Sequence, residues 1–437
     1  MARKMKDSGI EWIGEIPEGW KITRLKYLAD FEPTCDTSYL TDESKVTYTP
    51  MECVKNGGFE NRSALYGNLS HTLTPFQNGD IAMAKVTPCF ENGNIAIMDN
   101  LFSGFGLGSS ELFIFRSKSI STRYFFYWLQ NKAFVARACS TMTGTGGLKR
   151  ISPSFIRNCP VHCPSTDEQT KISDYLDAKC SKIGDLLTSV HASIEEYKKL
   201  KQAVITQAVT KGVRGEREMK PTDFTRWSEI PFDWDLKRVK SCIASISSGL
   251  SAVTDDANSE ESGKFVLRTS AVSSGFFVPT EVKPVLKSAV NRLICPVEPD
   301  TLIVSRMNTA SMVGACAYVA NNHPNTFLPD KLWKIKFLPS YHTKYMWYAL
   351  NSVPAKSWFS ELATGASSSM QNISINDFTS NYLPIPAFSE QKEIANYLDA
   401  KCAEIDGLVA KKEQLVKELE SYKKSLIYEV VTGKREV

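Results

Sequence analysis

Tyr175-Leu176-Asp177-Ala178-Lys179-Cys180 recurs unchanged as Tyr397-Leu398-Asp399-Ala400-Lys401-Cys402, 222 residues further on, and this doubling governs the reading of the chain. At the same offset Glu168-Gln169 returns as Glu390-Gln391, and Val209-Thr210 as Val431-Thr432. Lys201-Gln202-Ala203-Val204-Ile205 returns as Lys423-Lys424-Ser425-Leu426-Ile427, so the alignment runs without a gap. A repeat with a period near half the chain length means one unit written twice. Upstream the copies match more loosely. Glu15-Ile16-Pro17 and Trp20 return as Glu229-Ile230-Pro231 and Trp234, and Tyr124 and Tyr127 return as Tyr345 and Tyr348.

The well-kept part is helical. From Glu168 to Lys211 there is no proline, and Ile183, Leu187, Val190, Ile194, Tyr197, Val204 and Ala208 keep a heptad rhythm once Lys201 joins the seam. The second copy repeats it with Ile405, Val409, Val416, Leu419, Leu426 and Val430, and with Lys412 and Lys423 on the seam. Each stripe predicts a helix of roughly 65 Å. Ser165-Thr166-Asp167 and Ser389-Glu390 supply starts, and Gly212 and Gly433 supply ends. The seam lysines are expected to snorkel their ammonium groups to water.

The divergent parts read as mixed and strand-rich. Asp80-Ile81-Ala82-Met83-Ala84 and Thr301-Leu302-Ile303-Val304 have the look of buried strands. Val161-His162-Cys163-Pro164 and Leu383-Pro384-Ile385-Pro386 read as stiff connectors into the long helices. The expected fold is α+β: two similar mixed α/β domains and two long helices forming an antiparallel coiled coil, with pseudo-two-fold symmetry. The boundaries are residues 1–164 for the first domain, 165–213 for the central spacer, 214–386 for the second domain, and 387–437 for the C-terminal helix and tail. Two diverged heads held at a set spacing suit reading two places on one duplex.

Composition sets the outer bounds. The 437 residues carry 52 basic and 48 acidic side chains, so net charge permits nucleic-acid binding without arguing for it. Eleven cysteines lack framework spacing, and with no export signal or apolar span, reduced thiols and a cytoplasmic location are expected.

The pattern resembles the specificity subunits of Type I restriction–modification systems. The residues carrying the resemblance are Asp7 through Trp20, Pro164 through Gln169, Leu383 through Gln391, both Tyr-Leu-Asp-Ala-Lys helices and Val431-Thr432-Gly433-Lys434. Lys211-Gly212 departs from the family's Gly-Lys order. The resemblance implies that each domain reads half of a bipartite, asymmetric target, and that the helices set the gap and dock two adenine-methyltransferase subunits. Those partners would carry S-adenosylmethionine. A motor–nuclease subunit would add ATP- and magnesium-dependent restriction, leaving this chain without a catalytic site or cofactor.

Candidate DNA contacts follow from the repeat. Lys85 and Arg306 occupy matched positions after a buried strand; the alternative is a solvated strand-end charge. The small-residue loop Thr143 to Arg150 matches Thr364 to Asn372, so Lys149-Arg150 aligns with Gln371-Asn372. Arg and Lys suit guanine, Gln and Asn suit adenine, as two different half-sites would require. A freely varying surface turn is the plain alternative.

Other motifs fall short. Phe102 to Gly108 has methyltransferase-like glycines but runs into a strand-like segment. Thr87-Pro88-Cys89-Phe90 lacks the Asn or Asp and the second proline of an amino-methylating motif. Cys159, His162 and Cys163 lack a second ligand cluster, and His162 and Cys163 align with Pro384 and Ile385. Tyr124 to Trp128 and Tyr345 to Tyr348 read as helical core. The rivals are a stand-alone methyltransferase or nuclease, and a coiled-coil scaffold that never touches DNA.

Overall fold

A computed structural model describes residues 3–70, 72–145, 147–251, 261–367 and 370–437. Contacts divide the chain into two units, Met1–His191 with Glu413–Val437, and Ala192–Lys412. The long helices span Thr166–Lys211 and Phe388–Val431, and each unit contains a stretch of both. The first begins as expected, with Ser165 Oγ accepting the Glu168 amide at 3.3 Å.

Within each unit the two helical stretches run antiparallel. In the first unit Ile172, Leu176, Cys180 and Ile183 share a core with Leu426, Ile427, Val430 and Val431. In the second, Ile205, Ala208 and Val209 share one with Ile394, Ala395, Leu398 and Cys402. There Tyr197 lies beside Lys412 and Lys201 beside Asp406, so partner numbers fall as residue numbers rise. The stripe drifts by one position near its end: Ile205 and Val209 are buried while Val204 is only half-buried. A 3.6-residue turn slips against a seven-residue repeat in this way.

Lys201 departs from the snorkelling expectation. Its ammonium bonds Asp406 at 2.6 Å and faces the Phe276 ring at 4.6 Å, leaving the side chain 12% exposed.

The unchanged hexapeptide earns its repetition by packing. Leu176 and Leu398 are fully buried, and Cys180 and Cys402 are buried a turn later. Burying one such leucine stabilises by about 1.5–3 kcal/mol. Asp177 Oδ1 accepts the Tyr127 hydroxyl at 2.6 Å, and Asp399 Oδ1 accepts that of Tyr348 at 2.9 Å. Desolvation raises both phenols far above their ordinary range, so they stay protonated donors. The Glu-Gln pair likewise ties each helix start to its own domain. Trp20 Nε1 donates to Glu168 at 2.9 Å and Trp234 Nε1 to Glu390 at 3.2 Å. Gln169 accepts the Ser121 amide at 2.8 Å, as Gln391 accepts that of His342 at 2.7 Å.

The helix ends explain the Lys-Gly swap. Gly212 and Gly433 both have positive φ, 78° and 70°, but the second glycine stands one repeat position earlier, after a helix that ends at Val431. A Cβ on Gly433 would meet Pro17 at 2.3 Å, and one on Gly212 would meet Trp234 at 3.2 Å. Glycine at either end lets the helix terminus close on the tryptophan that follows the Glu-Ile-Pro motif.

Each globular part holds two four-stranded sheets of one order. In the first unit the order is Ile95–Met98, Asp80–Ala84, Leu112–Ser117, Ala29–Phe31, all antiparallel. The second unit repeats it with Cys316–Val319, Thr301–Ser305, Leu332–Phe337 and Ile243–Ser248. In the other sheet, Lys45–Thr49 pairs in parallel with Phe105–Gly108, as Glu261–Leu267 does with His323–Phe327. The central strands Asp80–Ala84 and Thr301–Ser305 are buried along their whole length, as their apolar runs predict. The helices Thr122–Leu129 and Thr343–Leu350 bury their aromatic runs as core.

The connectors before the long helices are strands. Pro160–Cys163 pairs with Lys21–Arg24, and Tyr382–Ile385 with Asp235–Arg238, in two-stranded antiparallel ladders. Proline is tolerated there because such ladders are all edge. His162 is buried on this strand, with Nε2 2.7 Å from the Val431 carbonyl at the end of the second long helix. Burial pushes its pKa down to about 4. Gly106 and Gly108 also find a packing reason: a Cβ would meet the Phe76 ring at 2.2 Å and Thr49 O at 2.9 Å. All eleven cysteines are free thiols.

Candidate nucleic-acid interface

The two loops singled out by the repeat are hairpins rooted on the same strand. In the first unit Thr143 pairs with Arg150, and Val86, two residues beyond the buried central strand, pairs with Arg150 from the other side. Arg150 N donates to Thr143 O at 2.8 Å, and Ile151 N to Lys85 O at 3.0 Å. In the second unit Thr364 pairs with Asn372 and Met307 with Asn372, while Ile373 N donates to Arg306 O at 3.0 Å. Lys85 and Arg306 are therefore backbone equivalents, and so are Thr143 and Thr364, and Arg150 and Asn372. Gly146, Ser368 and Ser369 of these loops lie outside the described residues.

Thr87 anchors the first hairpin. Its hydroxyl donates to Gly147 O at 2.7 Å and accepts the Lys149 amide at 2.9 Å. Thr87-Pro88-Cys89-Phe90 thus serves the hairpin, with Phe90 buried in the core.

Side-chain chemistry diverges on this common root. Arg150 clasps Glu111 with two bonds, Nε to Oε2 at 2.9 Å and Nη2 to Oε1 at 2.8 Å. The guanidinium holds that carboxyl below the usual carboxylate range. Lys85 sits half-buried with its ammonium 5.4 Å from the Phe113 ring centre, beside the same carboxylate. Lys149 is exposed and has no ion-pair partner among the described residues. In the second unit Lys331 occupies the place of Glu111, because Lys331 O accepts the Arg306 amide as Glu111 O accepts that of Lys85. Asn372 Oδ1 and Arg306 Nε are buried without a hydrogen-bond partner among the described residues.

The structure thus brings Lys85, Thr143 and Arg150 together at one root, and Arg306, Thr364 and Asn372 at the other. Lys149 and Gln371 lie one residue along toward the tips. Sequence reasoning missed Glu111 and Lys331. The charge reversal between them was visible once the strands Leu112–Ser117 and Leu332–Phe337 are set side by side.

Two sheet-and-hairpin units of one topology, each braced by antiparallel helix and each with its own hairpin chemistry, define a duplicated recognition protein. Residues 17–196 match the Type I restriction modification DNA specificity domain. The chain is similar to the Type I restriction enzyme EcoEI specificity subunit of Escherichia coli, 24% identical over 464 residues, covering 88% of this chain and 78% of that one. It is also similar to the EcoAI specificity subunit of Escherichia coli, 36% identical over 163 residues, 36% of this chain and 27% of the other. A solved chain from work on complex assembly and conformational transition of the type I R-M system shares the fold, with a TM-score of 0.70 at 15% identity over 96% of this chain and 99% of that one. Over most of its length the chain is similar to the specificity subunits of type I restriction enzymes. Among the described residues no helix is long and apolar enough to cross a membrane.

Proposed function

We propose that the two hairpin roots are the reading heads of a bipartite DNA target, one half-site to each unit. The observation that carries this reading is the exchange of Lys149-Arg150 for Gln371-Asn372 on equivalent backbone. Long donor side chains of different base preference stand on one scaffold. Lys85 and Arg306 at the roots would contact phosphate and set register. Glu111, paired with Arg150, would accept from a cytosine amino group or hold the guanidinium ready for guanine.

The long helices would set the spacing of the half-sites and dock two methyltransferase subunits, which would bring S-adenosylmethionine and base-flipping chemistry. Motor–nuclease subunits would add ATP and magnesium. This chain would contribute specificity and no catalytic step, and would act in the cytoplasm.

The test is selection from random duplexes by the purified chain assembled with its methyltransferase partner, followed by sequencing. The reading predicts an enriched motif in two parts separated by a constant gap. Enrichment of one contiguous motif, or none, would contradict it.

A further inference from the structure

The repeat exposes a place where one unit completes itself and the other does not. In the second unit Lys201, on the long helix, is covered from two sides. Asp406 supplies a carboxylate at 2.6 Å, and the Phe276 ring lies 4.6 Å from the ammonium and 5.4 Å from the Trp347 ring. The equivalent lysine in the first unit is Lys423, 222 residues on. At the matching helix position Gly184 replaces Asp406.

The loop position is equally well defined. Glu60 N donates to Cys53 O and Val278 N to Ala271 O, both at 2.9 Å, so the segments between them align residue for residue. Gly58 therefore stands where the second unit has Phe276. Cβ atoms built on Gly58 and Gly184 would meet nothing within 4 Å. Ring and carboxylate are both missing, and the space is open.

Beside Gly184 and Lys423 the first unit has a cavity of about 690 Å³, whose lining includes Asn56, two residues before Gly58. Its apolar walls include Met83, Phe90, Leu129 and Leu187, and Gly184 and Lys423 also line it. Lys132, Lys423 and Lys424 face it against Glu91 and Glu420, a balance that favours a single negative charge. Lys423 is half-buried and has no ion-pair partner among the described residues. The size and the mixture of apolar wall with a few polar groups suit a small molecule.

We propose that this cavity binds a small aromatic carboxylate, whose ring takes the place of Phe276 and whose carboxylate takes the place of Asp406. The ring would lie against the apolar wall and the face of the ammonium, and the carboxylate would pair with Lys423. The proposal does not depend on the DNA-reading assignment, since none of the hairpin-root residues lines this space.

The test uses the full-length chain and 3-phenylpropionate, titrated by calorimetry, with propionate and benzyl alcohol as single-feature controls. Saturable binding is expected, weakened about tenfold or more in either control. Gly58→Phe and Gly184→Asp, which rebuild the second unit's arrangement in the first, should each weaken it by a similar factor with melting temperature held or raised. Lys423→Gln should do the same, and it decides the matter if Gly58→Phe fails to fold. Absence of saturation in the native chain, or unchanged affinity in Gly184→Asp or Lys423→Gln, would overturn the proposal.

Discussion

The two units share sheet order, parallel and antiparallel pairings and hairpin register, yet they differ in charge at the hairpin root. Where the first has Glu111 clasping Arg150, the second has Lys331 and Asn372. Positions kept between the copies, such as Leu176 and Leu398 or Asp177 and Asp399, spend their contacts on the unit's own core. At the hairpin root the matched positions instead differ in their partners: Arg150 holds Glu111, while Asn372 Oδ1 has no hydrogen-bond partner among the described residues. The difference separates what holds a unit together from what the proposed reading assigns to DNA.

The largest expected effect tests the shared part. Leu176→Ala and Leu398→Ala each remove a fully buried side chain from equivalent sites. Each should cost about 2–5 kcal/mol in chemical denaturation. Loss in one copy alone would break the structural equivalence.

Acid should separate the units next. His162 is buried in the first unit with its pKa near 4, and the second has Pro384 there. An unfolded histidine takes its proton near pH 6.5. Between about 6.5 and 4 the unfolded chain therefore binds more protons, and stability falls as pH falls. The full contribution holds above pH 6.5, and about 3 kcal/mol of it is gone by pH 4. Urea unfolding at pH 7.5 and 4.5 should show a smaller loss in His162→Gln than in the native chain. Equal losses would remove His162 from the account.

At the second root, Asn372→Ala should cost about 1–3 kcal/mol of discrimination at one base of one half-site. Competition binding with single-base variants of the target measures it. A uniform loss over all variants would make Asn372 a positioning residue.

The smallest effect sharpens the charge contrast. Glu111→Gln frees Arg150 from its ion pair. If Arg150 then gains a phosphate, binding to random duplex should steepen by about 0.9 log unit per tenfold salt. An unchanged slope would mean that Arg150 already faces the phosphates or never does.

Much of this was legible because the chain carries its own alignment. Periodicity gave the helices, and the repeat gave the equivalence of Lys85 with Arg306 and of Arg150 with Asn372. What stayed hidden depends on distant pairing. Glu111 meets Arg150 across 39 residues, and no local pattern marks it. From sequence the Pro160–Cys163 strand reads as a connector because prolines flank and interrupt such segments, and its ladder partner lies near residue 22. From sequence Lys201 reads as snorkelling because neither Asp406 nor Phe276 is near it along the chain.

The most direct measurement of divided reading is methylation mapping in a host carrying the double variant Lys149→Ala with Arg150→Ala. The account predicts that the specified bases of one half-site relax or change while the other half-site and the gap remain as in the native protein. Equal loss of both half-sites from a folded, assembled complex would contradict it.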